Sequence, residues 1–134
     1  AGFVAGKRFR GHGSYALFDP EYNIGIGQQY VTHLLGFRGI EGNLFYLTVA
    51  YNGGPGNLNK WRRKSDYRGD PLLFIESIPS RETRAFVERV LTNLWIYRFR
   101  LGQPASSLDA IVAGTWPRYQ ALDAIAREVV QRAD

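Results

Sequence analysis

Residues 50–61 read AYNGGPGNLNKW and follow directly on an apolar run, NLFYLTVA, at 43–50. The run has the apolar density of a buried helix. A glycine just past a helix adopts a left-handed conformation without steric penalty, and a proline soon after it stops the helix from continuing. Gly53, Gly54 and Pro55 therefore close one helix, and Gly56-Asn57 open another that runs through Leu58 and Trp61. Those demands account for the glycines. They do not account for Tyr51-Asn52, which needs a reason beyond turn chemistry.

Working outward, helical periodicity dominates. Asp19 is placed to cap a helix whose first position is Pro20, and Tyr22, Ile26, Tyr30 and Leu34 recur every fourth residue until Gly36. The next helix is predicted over residues 41–52, and GNLNKWRRK at 56–64 forms a short third. Asp70-Pro71 repeats the start signal for LLFIESI, and Ser80 caps the longest helix, residues 81–101. Its apolar face holds Phe86, Val87, Val90, Leu91, Leu94 and Trp95, with Arg84 and Glu88 spaced for an outward ion pair. SSLDAIVAG gives a short helical turn. WPRYQALDAIAREVVQRAD is predicted as a final helix with Leu122, Ile125, Val129 and Val130 inward. No stretch alternates convincingly between apolar and polar residues, so the fold class is all-α, with short connections. Gly102 to Ser107 is the candidate boundary between a main unit, 1–102, and a helical C-terminal extension, 103–134.

The 134 residues are enough for one domain with a real core, and 45% hydrophobic with 22% charged residues describe a globular chain. No apolar run approaches the ~20 residues of a membrane helix. The absence of cysteine removes disulfides, thiolate metal sites and a cysteine nucleophile. A formal charge of +5 favours anionic partners, and the 14% aromatic content suits stacking on bases or on sugar rings. The chain contains no methionine and begins at Ala1, so it is expected to be part of a longer protein.

Candidate sites divide quickly. His12 and His33 have no carboxylates at ligand spacing, so neither a metal nor any other cofactor is expected. NGGPGN lacks the Lys-Ser/Thr of a phosphate loop, and GIG at 25–27 lies within a helix. KWRRK at 60–64, with Lys7, Arg8 and Arg10, reads either as a solvated helix face or as a nucleic-acid patch, and no recognition motif supports the second reading. Glu76 lies between Ile75 and Ile78. A carboxylate in such surroundings needs a partner or a raised pKa, and Arg81 and Arg84 are at hand. A helix-joining salt bridge and a role in a site both remain open.

Three segments together resemble one family: LFDPEYNIGIGQQYV, AYNGGPGNLNKW and FIESIPSRETRAFVERVLTNLWIYRFRLG. Over residues 3–102 the chain is similar to the catalytic domain of soluble lytic transglycosylases, with Phe86-Val87 where Tyr-Val is common. The resemblance implies a goose-type-lysozyme-like helical domain with a glycan cleft in the periplasm of a Gram-negative cell. It implies cleavage of the β-1,4 bond between N-acetylmuramic acid and N-acetylglucosamine, with the muramoyl C6 hydroxyl as nucleophile and a 1,6-anhydro product. One carboxyl group then serves as acid and afterwards as base. Tyr51 matches a tyrosine that orients that acid. Asn52 and Gly53 match the residues that shape the cleft floor beneath the sugar, and Glu76 matches a substrate-contacting glutamate. The family's Glu-Ser and GLMQ-type motifs precede the Asp-Pro helix and are absent here. The chain is therefore expected to lack its catalytic acid, to be inactive alone, and to need the N-terminal part of the same domain as a partner. Peptidoglycan strands are the expected ligand. The competing readings are a non-catalytic glycan-binding module and a basic nucleic-acid-binding helical domain.

Overall fold

The computed structural model describes residues 19–121, which form six helices: α1 (Pro20–Leu35), α2 (Leu44–Gly53), α3 (Pro55–Lys64), α4 (Pro71–Glu76), α5 (Arg81–Arg100) and α6 (Ser106–Val112). The helix starts follow local chemistry. Asp19 Oδ1 accepts from the Glu21 and Tyr22 amides at 3.0 and 3.3 Å, with Pro20 at the first turn. Asn43, Asp70 and Ser80 accept from the amides of Tyr46, Leu73 and Thr83 in the same way. Such side-chain acceptors satisfy amides that have no partner within the helix, and each is worth ~1 kcal/mol.

Helix α2 is central. Residues 44–50 are buried without a break, so it must be covered on every side. Helices α1, α3 and α5 all pack on it. It begins at Leu44, three residues later than its periodicity predicts, because Gly39, Glu41 and Gly42 hold positive φ values of 95, 47 and 73°. That backbone is a turn and cannot be helix. The turn after α2 is tight: Gly54, at φ 84°, ends α2 and precedes Pro55 of α3. Asn57 Nδ2 donates to the Gly53 carbonyl at 2.8 Å, satisfying an end-of-helix acceptor. A Cβ on Gly53 would stand 3.1 Å from two ring carbons of the buried Trp61.

Two expectations change. Arg84 does not pair with Glu88; its guanidinium donates to the Ile78 carbonyl and ties α5 to the preceding loop. The segment from Trp116 is not helical over its described part. Pro117 and Tyr119 make backbone hydrogen bonds to Leu44 and Gly42 at 2.9 and 2.8 Å, forming an isolated antiparallel bridge between Asn43 and Arg118. A helix at 116–121 would forfeit those bonds, and Pro117 disfavours helix at Trp116. Leu122, Ile125, Val129 and Val130 lie outside the described residues, as do Lys7, Arg8, Arg10 and His12.

The bridge seats Trp116 in an aromatic cluster with Phe45, Tyr46, Tyr67 and Phe74, at centroid distances of 4.9 to 6.3 Å. Arg62 lies 4.3 Å over the Tyr46 ring and donates to the Gly39 carbonyl at 3.0 Å. The KWRRK run is thus partly internal: Trp61 is core and Arg62 is an intramolecular brace. Burial, and next the hydroxyl of Tyr67 beside it, push the Tyr46 phenol from 10.0 to about 12.

Two outcomes follow from this packing. Gly53→Ala, forced against Trp61, should destabilise the chain by about 1–3 kcal/mol in denaturant unfolding. Tyr46 should titrate near pH 12 by phenolate absorbance, a signal that Tyr46→Phe removes. Its raised folded pKa stabilises the fold fully below pH 10, and that contribution is lost as pH rises from 10.0 to about 12. Unfolding free energy should fall less steeply across that window in Tyr46→Phe.

Candidate active-site groove

Helices α1, α2 and α5, with the extended segment 118–120, enclose a groove of about 800 Å³. Its wall is mainly apolar: Val31, Leu44, Leu47, Phe86, Val90 and Leu94 line it, with Thr32, Thr48 and Tyr51 among its polar residues. Val90, predicted for the core face of α5, is 38% exposed because that face of the helix borders the groove.

Tyr51 is the groove's most constrained aromatic. It is 38% exposed. Its ring stacks on Phe86 at 6.0 Å and 3°, and meets Tyr30 at 5.3 Å. Its hydroxyl comes within 3.3 Å of where a Cβ on Gly27 would stand, and makes no hydrogen bond among the described residues. A phenol clamped on two sides, with its hydroxyl free at a groove wall, is a directed donor available to a ligand. The sequence placed Gly27 within a helix but gave it no role, yet a glycine in mid-helix costs ~1 kcal/mol relative to alanine, which is itself a signal. Its use here is clearance for Tyr51.

Asn52 is exposed and accepts through Oδ1 from the Thr83 hydroxyl at 2.8 Å. It therefore joins α2 to α5 beneath the tyrosine. Gly53 sets the approach of Trp61. Glu76 sits apart from these. It is exposed at the end of α4, is not among the groove-lining residues, and forms no ion pair with Arg81 or Arg84. Ile75 and Ile78 are buried while the glutamate between them turns outward, so adjacency in sequence did not carry over to burial.

The other end of the groove is cationic. Arg98, Ser107, Arg118, Tyr119 and Gln120 line it. Arg98 is only 4% exposed, and nothing in the α5 pattern marks it as buried. Among the described residues no Asp or Glu lines the groove. Among the described residues no three histidine, cysteine or acidic side chains gather in a way that could hold a metal ion. His33 packs edge-on against Phe37 at 5.0 Å. No helix of the described residues is long and apolar enough to cross a membrane.

The transglycosylase SLT domain model matches residues 4–74. The chain belongs to the SLT transglycosylase family. It is 37% identical over 94 residues to the soluble lytic murein transglycosylase of Escherichia coli, and 39% identical over 95 residues to that of Salmonella typhimurium. These matches cover 70% and 71% of this chain and 14% of each relative, so the chain spans about one-seventh of the relatives' length. No solved structure matches the chain significantly. The all-α reading and the family resemblance both stand, with the AYN turn of this SLT domain at the groove.

The glycines of α1 separate clearance from propensity. Gly25 has nothing within 4 Å of an added Cβ, whereas Gly27 meets Tyr51 at 3.3 Å. Gly25→Ala should stabilise the domain by about 0.5–1 kcal/mol. Gly27→Ala should stabilise it less, or destabilise it, in the same thermal or denaturant unfolding measurement.

Proposed function

We propose that the groove binds a peptidoglycan glycan strand, and that this chain is the substrate-holding portion of a periplasmic lytic transglycosylase domain. The observation that carries this reading is Tyr51: half-exposed, clamped by Phe86 and Tyr30, and aimed past Gly27 with a hydroxyl that no other described residue bonds. The apolar wall suits the faces of sugar rings, and the aromatic pair offers a stacking surface. In the reaction, the C6 hydroxyl of the muramoyl residue attacks its own C1. The bond from C1 to the glycosidic oxygen breaks, that oxygen takes a proton, and the C6 hydroxyl gives one up, so no water is consumed.

That exchange needs one carboxyl group, first as acid and then as base. None of the described residues that line the groove carries one, so the proton donor comes from outside them. Tyr51 does not replace it, since a phenol is a far weaker acid than a carboxyl group and a poor proton donor to a glycosidic oxygen. Its role is to orient the acid and touch the sugar. Asn52 and Gly53 act through the turn that sets Tyr51, and Glu76 meets the strand only where the strand runs past the end of α4. Residues 103–134 act as an extension, whose described residues Ser107 and Arg118 to Gln120 line one end of the groove. The same groove serves the alternative of a glycan-binding module, since binding does not require the acid.

Purified chain should co-sediment with peptidoglycan sacculi and release no 1,6-anhydro muropeptides by mass spectrometry. Anhydro products above a no-protein control would show that the acid lies within these 134 residues, and failure to sediment would overturn the glycan reading. In a longer protein that contains this domain and is active, Tyr51→Phe should lower turnover by about 10²-fold, the scale of one lost transition-state hydrogen bond. It should change stability by under ~1 kcal/mol.

A further inference from the structure

We infer that the outer face of α3, together with the turn at 36–39 beside it, is a docking surface for an anionic lipid bilayer. Nothing in it depends on the glycan reading of the groove.

Residues 55–65 hold Lys60, Arg62, Arg63 and Lys64 and no carboxylate. Leu58 and Trp61 turn one side of α3 into the core. Helical spacing leaves Asn57, Asn59, Lys60, Arg63 and Lys64 on the other side, and all five are exposed. Apart from Gly56, that face is made of amides and cations.

The turn extends the surface. Arg62 donates to the Gly39 carbonyl at 3.0 Å, and a Cβ on Gly39 would stand 3.9 Å from Asn59 Oδ1. The turn therefore lies along the Asn59 edge of α3, and it carries two more exposed side chains, Phe37 and Arg38. Glu41, also exposed, is the nearest carboxylate to Arg38 in sequence, and Asp66 beyond the end of α3 lies 3.8 Å from Arg68. Arg38, Lys60, Arg63 and Lys64 form no ion pair among the described residues. Residues 19–121 contain twelve basic and nine acidic side chains, and Arg38, Lys60, Arg62, Arg63 and Lys64 are five of the basic ones. Without those five the described residues would carry a net negative charge.

Local helix chemistry explains only part of this. Cations in the last turn of a helix complement its dipole, an effect confined to that turn. It accounts for Arg62, Arg63 and Lys64. Lys60 lies earlier in α3, and Arg38 lies outside both flanking helices.

Shape and Phe37 select the partner. A nucleic-acid strand is held by a groove that tracks its backbone and by successive aromatics that stack on its bases. This surface is the outside of a helix with one aromatic at its edge. A bilayer asks for something else: a cationic face for the headgroups, and an apolar side chain that enters the boundary beneath them. The long stems of lysine and arginine let their charges reach the phosphates of such a plane. None of these residues lines the groove, so a domain held by α3 keeps its groove open.

The test is sedimentation of the whole chain with vesicles of equal parts phosphatidylglycerol and phosphatidylcholine, and with vesicles of phosphatidylcholine alone. The anionic vesicles should be bound about 10²-fold more tightly, on the scale of about fivefold for each cation near the surface. That preference should shrink as salt rises. Lys60→Gln/Arg63→Gln/Lys64→Gln should lose most of it, with circular dichroism unchanged because all three side chains are exposed. Arg81→Gln/Arg89→Gln/Arg100→Gln removes the same charge at exposed positions of α5, and should weaken binding less than about threefold, since the surface potential falls off within a Debye length. Phe37→Ser should weaken it about fivefold. Equal binding to the two kinds of vesicle, or equal losses in the two triple variants, overturns the docking surface. Binding by Phe37→Ser as tight as that of the unaltered chain overturns the bilayer as its partner and leaves a face for a soluble phosphate polymer.

Discussion

Helix α2 cannot be half-solvated. Its residues from Leu44 to Ala50 are all buried, and a helix without a polar face is stable only when it is enclosed. The rest of the domain meets that constraint. Helix α1 brings Leu34, α3 brings Leu58 and Trp61, and α5 brings Val87 and Leu91 to the shared core. The side left open by these helices is taken up by the aromatic cluster and by the extended chain at Pro117, whose carbonyl accepts from the Leu44 amide. The turn Gly53-Gly54-Pro55 lets α3 fold back at once, and lets Trp61 press on the end of α2 where any side chain on Gly53 would intrude.

The same enclosure sets the position of the groove. Tyr51 is the first residue past the buried stretch of α2, on the last turn, where the helix emerges between α1 and α5. A rigid, buried helix delivering an aromatic side chain to a groove wall is a precise mount, because the backbone behind it has no alternative packing. Gly27 on one helix and Phe86 on another then set where the ring and its hydroxyl lie. Asn52, one position on, binds Thr83 and keeps α5 in register with α2.

The basic composition does not spread evenly over the surface. Arg62 is held by Tyr46 and the Gly39 carbonyl, and Arg84 by the Ile78 carbonyl. Arg98 is held by the carbonyls of Pro104 and Gln120. In each case a guanidinium fork satisfies backbone acceptors that the helices leave open, which a lysine would match less well. Part of the +5 formal charge is therefore structural. Arg98 and Arg118 stand out because they also face the groove.

The sequence alone determined most of the helices and several of their ends. Asp19, Ser80 and the Asp-Pro pair at 70–71 announce helix starts, and Gly36 and Gly102 announce stops. These are interactions within a few residues, so they survive reading along the chain. Tyr51 was legible for a different reason: turn chemistry accounted for its glycine neighbours and left it over. What depended on distant parts of the chain was not legible. The exposure of Glu76, the burial of Arg98, the clearance at Gly27 and the bridge that displaces a helix at Trp116 each depend on residues many positions away. Local propensity is a fraction of a kcal/mol per residue. Covering the open side of a fully apolar helix is worth several times more, and that difference let tertiary packing decide these positions.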